Sequence, residues 1–548
     1  MKLALAQVNT TVGDLIGNAE KVLKFYHQAV KAEAELVIFP ELTLTGYPPQ
    51  DLLHQEAFLN RAEAVLNRLK SSIQAVPILV GTVTKNKLRP GRALFNSALL
   101  LQEGEVKQVF HKRLLPTYDV FDEDRYFEMG KSSGFFEWKG EKIGVSICED
   151  IWNDKDFWQE RRYEQDPIEQ LRIQGCSLIV NLSASPWHWG KERMRYEMLK
   201  TVAKGEKVSV ALCNLIGGND QLVFDGHSVV FDKEGFCLAQ GVGFREELVW
   251  VDTKGKGKEE LKAGNDLEHL FQALVLGTRD YVRKCGFNKV VIGLSGGIDS
   301  ALVAVIAREA LGAENVRGVS LPARFSSEGS LIDAEKLAEN LGIVYEVIPI
   351  EEPFQVARKQ CEKVFEGLDW DVTEENMQSR LRGLILMALS NKFHSLLLTT
   401  GNKSELAVGY CTLYGDMCGA LAVIGDVPKT KVYELARWVN CEREIIPEAT
   451  LTKAPSAELR ENQTDQDTLP AYEVLDEILR RYVEENESVE SMIKSGLAEE
   501  VVRDIVKRVV LNEYKRQQAA PGLKVTTRAF GRGRMMPIAQ GFREFNLD

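Results

Sequence analysis

The sequence lacks most of the features that mark secreted, membrane-spanning or nucleic-acid-binding proteins. Its nine cysteines are odd in number, scattered, and form no CxxC pair, which favours a reducing cytoplasm, buried thiols and no zinc site. No apolar run is long enough to cross a membrane, and the N-terminal segment has no signal-peptide core. The net charge of −12 argues against a nucleic-acid surface. We therefore expect an acidic cytoplasmic enzyme without nucleic-acid or membrane partners.

The length of 548 residues exceeds what one hydrophobic core supports, so we expect at least two large domains. In both halves, apolar β-branched runs alternate with segments of helical spacing, which predicts an α/β fold. Between the halves, Asp252–Glu260 is rich in glycine and charge and lacks apolar periodicity. We therefore predict a first domain at residues 1–253, a linker at 254–264 and a second domain at 265–548.

A glycine-rich turn in the second half follows a predicted strand and precedes a predicted helix. The turn consists of Gly293, Leu294, Ser295, Gly296, Gly297, Ile298, Asp299 and Ser300. Glycines let backbone N–H groups approach phosphate oxygens, and the helix dipole favours negative charge there. No Gly-Lys-Ser/Thr follows, so the turn is not a Walker A loop. Its two serines and its aspartate predict a pyrophosphate held by hydroxyls and Mg²⁺ held by the carboxylate; the alternative is an ordinary strand–helix turn.

Three chemically reactive residues of the first half each stand at the end of a predicted strand. Glu41 follows Phe-Pro, Lys112 follows His111, and Cys148 follows Ser-Ile. Together they form an amide-hydrolysing set, in which the thiolate attacks the amide carbon and the glutamate moves the proton. The lysine ammonium stabilises the oxyanion and favours the thiolate. Taken singly, the cysteine is typical of a buried core residue, and the charged residues are typical of a surface.

A second carboxylate in the second half follows another predicted strand end. Thr400 opens a turn that leads to Glu405, which predicts that Glu405 and Asp299 hold Mg²⁺ on the bound phosphates. The alternative is that Glu405 is an acidic residue in the first turn of a helix, where it interacts with the helix dipole. The two interpretations of Glu405 are compatible. Arg380 and Arg382 lie on one predicted helix, where either is a candidate for pairing with phosphates.

Several motifs resemble known families. The first-half motifs resemble, in chain order, the nitrilase (carbon–nitrogen hydrolase) superfamily, and the Ser-Gly-Gly-Ile-Asp-Ser turn resembles the ATP pyrophosphatases. The surrounding residues narrow the resemblance to glutamine-dependent NAD synthetases. The motifs that carry it are Phe39–Leu42, Thr43–Pro49, His111–Pro116, Pro116–Glu123, Ile147–Trp152, Ser295–Ser300, Glu375–Arg380 and Thr400–Glu405.

The resemblance implies a nitrilase-like α-β-β-α sandwich followed by a Rossmann-like, parallel-sheet ATP pyrophosphatase domain. It implies a ligase that amidates deamido-NAD (nicotinic acid adenine dinucleotide) to NAD through an acyl-adenylate. Ammonia comes from glutamine, ATP gives AMP and pyrophosphate, Mg²⁺ is the metal, and the enzyme is a homo-oligomer. Two other functions stay open from the residues: an amidotransferase with another acid substrate, and a non-catalytic binding protein.

The resemblance also implies particular contacts. Tyr118, Ser185 and Lys191 would hold glutamine, and Thr400 with the glycine-rich turn would contact ATP. Asn376, Glu405 and Lys524 would contact deamido-NAD, and Asp416 stands in a segment that would help bind it. Glu123 occupies a position where nitrilases often carry a second carboxylate that orders the lysine, although a solvated acid is the alternative.

Overall fold

The computed structural model of the chain describes residues 1–87, 90–257, 261, 264–461 and 463–546. The chain forms two compact units, Met1–His269 and Leu270–Asp548. Residues 258–260, 262 and 263 of the predicted linker lie outside the described residues, so the linker and the domain limits stay predictions. None of the nine cysteines forms a disulfide within the described residues. Within the described ranges, every helix is too short or too polar to span a bilayer.

The first unit is built mainly of β-strands. Its strands are β1 (Lys2–Gln7), β2 (Leu36–Ile38), β3 (Ile78–Lys85), β4 (Leu94–Gln102), β5 (Glu105–His111), β6 (Gly134–Trp138), β7 (Glu141–Ile147), β8 (Leu178–Ser183), β9 (Ser209–Asn214), β10 (Ile216–Asn219), β11 (Leu222–Asp225), β12 (Val229–Phe231), β13 (Cys237–Gln240) and β14 (Glu247–Asp252). Its helices are α1 (Leu15–Lys31), α2 (Glu56–Ser72), α3 (Pro167–Ile173) and α4 (Lys191–Glu206).

Two six-stranded sheets pack face to face in this unit, with orders β14-β1-β2-β3-β4-β5 and β13-β12-β9-β8-β7-β6. Side chains alternate along each strand, so Leu3 and Leu5 enter the core between the sheets while Ala4 and Ala6 face the helices α1 and α2. Helices α3 and α4 cover the second sheet in the same way. The predicted α-β-β-α layering is confirmed.

The second unit alternates helices with parallel strands. Its strands are β15 (Val290–Gly293), β16 (Val316–Ser320), β17 (Val344–Val347), β18 (Leu396–Thr399) and β19 (Leu421–Ala422). The helices are α5 (Asp266–Lys284), which begins before the unit boundary, α6 (Ile298–Leu311), α7 (Glu328–Leu341), α8 (Glu351–Cys361), α9 (Val372–Phe393), α10 (Lys403–Val408), α11 (Lys429–Val439), α12 (Glu448–Thr452), α13 (Tyr472–Leu479), α14 (Val489–Lys494), α15 (Glu499–Leu511) and α16 (Glu513–Arg516).

The five strands form one parallel sheet of order β17-β16-β15-β18-β19. The chain starts at the central strand β15, builds outward to β17, and then returns to the other side of β15 with β18. Ligands of open parallel sheets bind where the strand order reverses, beyond the carboxyl ends of the two strands. The predicted Rossmann-like sheet is confirmed, and its reversal point lies between β15 and β18.

Candidate functional sites

Three strand ends of the first unit bring the predicted hydrolytic residues together. Glu41 lies three residues after β2, Lys112 directly follows β5, and Cys148 directly follows β7. All three are buried, and Lys112 Nζ donates to Glu41 Oε1 at 2.7 Å. Cys148 has a φ of +44°, a left-handed conformation that a residue with a side chain seldom adopts. Such backbone strain is typical of a residue held in place for function.

A second carboxylate flanks the lysine on its other side. Lys112 Nζ also donates to Glu123 Oε1 at 2.8 Å, and the Tyr47 hydroxyl donates to the same oxygen at 2.9 Å. Glu41 is held separately, because the Asn96 side-chain amide donates to Oε1 at 2.7 Å and the Ala184 N–H donates to Oε2 at 3.0 Å. The ammonium is therefore fixed between two carboxylates, each with its own supporting donor.

Burial sets the protonation of this site. Burial raises the pKa of the Cys148 thiol well above its usual value, the charge of Glu41 raises it further, and Lys112 opposes both. Burial lowers the pKa of Lys112, but Glu123 and Glu41 outweigh that effect, so its pKa lies well above the ordinary value. These shifts favour a protonated thiol and a charged ammonium at rest, and a protonated thiol needs a base before it can act as a nucleophile.

Asp150 fixes the turn that carries the cysteine. Its carboxylate accepts hydrogen bonds from the backbone N–H groups of Ile147, Arg113 and Leu114, at 2.9, 2.9 and 2.8 Å. These bonds connect the end of β7 to the segment that follows Lys112. Burial raises the pKa of Asp150 to about 6. The Asp of the Cys-Glu-Asp motif therefore positions the nucleophile and the lysine relative to each other.

Two of the three residues predicted to hold glutamine, Tyr118 and Lys191, act on Glu149, the carboxylate next to the cysteine. The Tyr118 hydroxyl donates to Glu149 Oε1 at 2.9 Å, and the charge of Lys191 acts on the same carboxylate. Lys191 Nζ also donates to the Pro186 carbonyl at 2.7 Å. The Ser185 N–H donates to Asn214 Oδ1 at 3.0 Å. Glu149 was not predicted as a site residue from the sequence, although it directly follows Cys148 in the motif Ile147–Trp152.

The glycine-rich turn of the second unit lies at the reversal point of the parallel sheet. Gly296 has a φ of +79°, and a Cβ there would lie 2.3 Å from the Ser330 carbonyl oxygen. The Ser295 N–H donates to Ser300 Oγ at 3.3 Å, and the Gly297 N–H donates to Ser295 Oγ at 3.2 Å. Only glycine fits the position of Gly296, and the two serines fold the turn around their hydroxyl groups.

A cavity of about 440 Å³ opens at this turn. All eight residues of the turn line it, and Thr400, Asn376 and Glu405 line it as well. The segment 453–459 contributes to the wall, where Lys453 donates to Glu458 Oε1 at 2.8 Å. The carboxyl ends of β15 and β18 thus face a chamber with polar and apolar walls, which suits a nucleotide.

One lysine joins the two carboxylates predicted to hold the metal. Lys429, the first residue of α11, donates from Nζ to Asp299 Oδ2 and to Glu405 Oε1, the latter at 3.1 Å. The Asn402 side-chain amide donates to Asp299 Oδ1 at 2.9 Å, and its oxygen accepts from the Glu405 N–H at 3.0 Å. Lys429 and Asn402 were missed from the sequence, because neither lies in a local pattern with Asp299.

The donor set of this pair fits Mg²⁺, which prefers carboxylate oxygens. Asp299 and Glu405 share a single cationic partner, so their oxygens already converge on one point. Burial raises the pKa of Glu405 to about 7, Lys429 opposes this, and Asp299 adds to it. Burial lowers the pKa of Lys429, but the two carboxylates outweigh it and raise the net value well above normal. Lys429 neutralises part of the charge of the two carboxylates, and Mg²⁺ held by the same two residues would neutralise the rest.

The remaining predicted residues of the second unit lie in different surroundings. Asn376 Oδ1 accepts from the Thr412 hydroxyl at 2.6 Å, and Asp416 accepts from the Thr412 N–H at 2.7 Å, both at the cavity wall. Arg382 also lines the cavity, whereas Arg380 is exposed. Lys524 is buried outside the lining residues, and its Nζ donates to the Thr526 carbonyl at 2.8 Å. Its role in substrate binding stays a prediction.

Comparison with known proteins gives matches in both units. The carbon-nitrogen hydrolase family matches residues 2–255, and the NAD synthase family matches residues 270–519. A glutamine-dependent NAD(+) synthetase of Synechocystis sp. is 50% identical over 550 residues, which cover 98% of this chain and 99% of that protein. The Thermotoga maritima protein of the same description is 44% identical over 586 residues, with 99% of each covered.

Two solved structures match the whole length. One is a glutamine-dependent NAD+ synthetase from Acinetobacter baumannii in complex with adenosine diphosphate; it is 39% identical, covers 98% of both chains and gives a TM-score of 0.77. The other, a glutamine-dependent NAD(+) synthetase from Cytophaga hutchinsonii, shares the fold at 22% identity, with a TM-score of 0.84 over 98% of both chains.

Proposed function

The chain belongs to the glutamine-dependent NAD(+) synthetases, and from this premise we propose how its own residues carry out the reaction. It is an ATP-dependent carbon–nitrogen ligase that forms NAD from deamido-NAD with nitrogen from glutamine. The observation that carries the assignment of residues is the presence, in one chain, of a buried Glu-Lys-Cys set and a phosphate-type turn that opens into a cavity. A binding protein needs neither.

Glutamine hydrolysis is proposed to take place at Cys148. Glu41 accepts the thiol proton, Sγ attacks the amide carbon of glutamine, and Lys112 balances the charge on the oxyanion. Glu41 returns the proton to the departing ammonia, leaving a thioester that water cleaves to glutamate. Tyr118, Ser185 and Lys191 hold the amino-acid end of the substrate. The first step has the most support, because burial raises the pKa of the thiol, which then needs a base, and the charge of Glu41 acts on that thiol.

Adenylation is proposed to take place in the cavity of the second unit. The nicotinate carboxylate attacks the α-phosphorus of ATP, and the bond to pyrophosphate breaks. The residues of the turn and Thr400 hold the phosphates, while Asn376 and Glu405 hold deamido-NAD. The predicted contact of Lys524 with the same substrate stays a proposal, since that lysine lies outside the lining of the cavity. Lys429 lies among these groups and neutralises charge on the phosphates. Asp299 and Glu405 would hold Mg²⁺, which when bound withdraws charge from the phosphate oxygens.

Amide formation follows from the activated acid. A carboxylate is a poor electrophile at neutral pH, so ammonia reacts with the acyl-adenylate, giving NAD and releasing AMP. The test is to measure NAD, AMP, pyrophosphate and glutamate when the chain is supplied with deamido-NAD, ATP and glutamine. We expect equal amounts of NAD and pyrophosphate, and loss of both when a chelator removes Mg²⁺. Pyrophosphate release that ignores deamido-NAD but follows another acid would point to a different amidotransferase.

A pH effect is expected at Glu123. Burial raises the pKa of Glu123 to about 7, with Lys112 opposing and Glu41 adding to the effect. As pH falls through about 7, Glu123 is protonated and Lys112 is balanced by Glu41 alone, which makes Glu41 a weaker base. We expect kcat/KM for glutamine hydrolysis to fall as the pH drops through about 7 and then to level off at the rate of the enzyme with protonated Glu123.

The variant Glu123→Gln isolates this effect. Its glutamine hydrolysis should be slower at neutral pH and should lack the acidic limb near 7. Asp124→Asn is the matched control, since that exposed carboxylate pairs with Arg92 at 3.1 Å and touches neither Lys112 nor Glu41. An unchanged acidic limb in Glu123→Gln would assign the titration to another group.

We propose further that the chain forms a homo-oligomer and acts in the cytoplasm. Helix α9 exposes an apolar face that includes Leu384, which is 65% exposed, and Met387. A second copy of the chain would cover this face, and light scattering would give the mass of the assembly. Nine cysteines without a disulfide among the described residues suit a reducing compartment. The domain limits that we propose are 1–253 and 265–548, joined by the linker 254–264.

A further inference from the structure

A cluster of two histidines and a glutamate in the first unit has no part in the chemistry above. Glu192 lies in the first turn of α4, His227 lies between β11 and β12, and His269 lies in the first turn of α5. Each offers one ligand atom, and the three atoms lie within 4.8 Å of one another. We propose that this cluster is a binding site for a divalent transition metal, with Zn²⁺ as the ion it takes.

The spacing of the ligand atoms suits a tetrahedral ion. Glu192 Oε2 lies 3.0 Å from His269 Nδ1 and 3.7 Å from His227 Nε2. Ligands at the usual zinc–nitrogen and zinc–oxygen distances are about 3.3 Å apart in a tetrahedron. The two observed distances lie on either side of that value, so shifts of a few tenths of an ångström would seat the ion. Imidazole and carboxylate are both ordinary zinc ligands, and no thiolate is required.

The surroundings of His227 fix which of its nitrogens faces the cluster. Asp225 Oδ2 lies 2.8 Å from His227 Nδ1, so that nitrogen carries the proton and Nε2 is left with its lone pair toward Glu192. Asp225 is in turn fixed by Arg195, which donates to both carboxylate oxygens at 3.1 and 2.6 Å. A carboxylate behind a histidine is the support that metal-bound histidines usually have.

A glycine packs closely against each imidazole, where a side chain would collide with the ring. A Cβ on Gly243 would lie 2.2 Å from His227 Nε2, and a Cβ on Gly264 would lie 2.0 Å from His269 Nε2. His227 and Glu192 are nearly fully buried, whereas His269 is partly exposed. Water can therefore supply the fourth ligand from the side of His269. A bound ion would fasten the first turn of α4, which also carries Lys191, to the first turn of α5.

Metal content of the full-length chain tests the proposal. After chelation and removal of the chelator, the chain should take up about one Zn²⁺, as three protein ligands and water require. His269→Gln and Glu192→Gln should lose this uptake. His54→Gln is the matched control, because it removes an exposed histidine of the same unit and leaves the cluster intact. Zn²⁺ should also raise the melting temperature of wild type and of the control, but not of the two cluster variants.

Cobalt identifies the ligands directly. Co²⁺ in the wild-type site should give visible d–d bands without the near-ultraviolet charge-transfer band of a thiolate. His269→Cys should add that band, because the new thiolate would reach the metal. No metal uptake by folded wild type, or equal uptake by His269→Gln and His54→Gln, would overturn the proposal. The cluster would then be a hydrogen-bonded ion pair between Glu192 and His269.

Discussion

Cys148→Ala should abolish NAD formation with glutamine and leave deamido-NAD-dependent pyrophosphate release in place. Alanine removes the sulfur that we propose attacks the amide, and no neighbouring group replaces it, since Glu41 and Lys112 are both engaged with each other. Loss of the nucleophile of a concerted set usually lowers the rate by ~10⁴-fold or more. Glutamate release and NAD formation from glutamine should both fall to that extent.

Ammonium salt should restore NAD formation in the Cys148→Ala variant, because the adenylate forms from residues of the second unit only. Cys176→Ala is the matched control. That cysteine is also buried in the first unit, and burial likewise raises the pKa of its thiol, but it packs in the core under α3 and α4. The control should keep its glutamine-dependent rate. Glutamate release that survives in Cys148→Ala would refute the assignment of the nucleophile.

Gly296→Ala should remove the ATP-dependent chemistry with either nitrogen donor. The new Cβ would lie 2.3 Å from the Ser330 carbonyl oxygen and 2.7 Å from the Ser330 Cα, and both are backbone atoms. The left-handed φ of +79° adds strain for any residue with a side chain. The turn must move, and a displacement of about 1 Å at a phosphate site costs about 100-fold in rate. We expect pyrophosphate release to fall by at least that factor.

Gly297→Ala, one residue later, separates this effect from a general need for glycine. Gly297 has a φ of −87°, and the nearest atom to its Cβ would be Ser295 Oγ at 3.2 Å, a side chain that can yield. Pyrophosphate release by Gly297→Ala should fall by less than about tenfold. Glutamine hydrolysis at Cys148 reports that both variants are folded. Equal losses in the two variants would show that the approach to Ser330 does not decide the activity.

The strands that end at the two sites could be predicted because each is a short apolar run followed by a turn with chemical groups. β7 is such a strand in the first unit, and β15 and β18 are such strands in the second unit. In each unit, the residues that follow these strands lie in the candidate site. Residues that reach a site only through the tertiary fold have no such pattern in the sequence. Lys429 follows a proline at the start of α11, where it has the appearance of a surface residue, and only the fold brings it to Asp299.

Other features of the structure were also not evident from the sequence. Strand β17 ends at Val347, and beyond it the N–H groups of Ile348 and Ile350 donate to the carbonyls of Ser320 and Pro322 as the chain continues toward α8. Helix α8 itself was missed, since Phe354 is its single buried residue and supplies no apolar period. His227 and His269 are too far apart in sequence to form a motif, so their meeting with Glu192 is visible only in three dimensions.

The left-handed backbone at Cys148 sets activity against robustness at one position. A side chain in this conformation destabilises the fold by about 1–2 kcal/mol, which glycine would avoid. Selection for stability would therefore favour glycine at position 148, whereas selection for the proposed catalytic role of the thiol would retain cysteine. The protein therefore retains a strained backbone at Cys148. Asp150, whose carboxylate accepts a hydrogen bond from the Ile147 N–H, helps to hold that conformation.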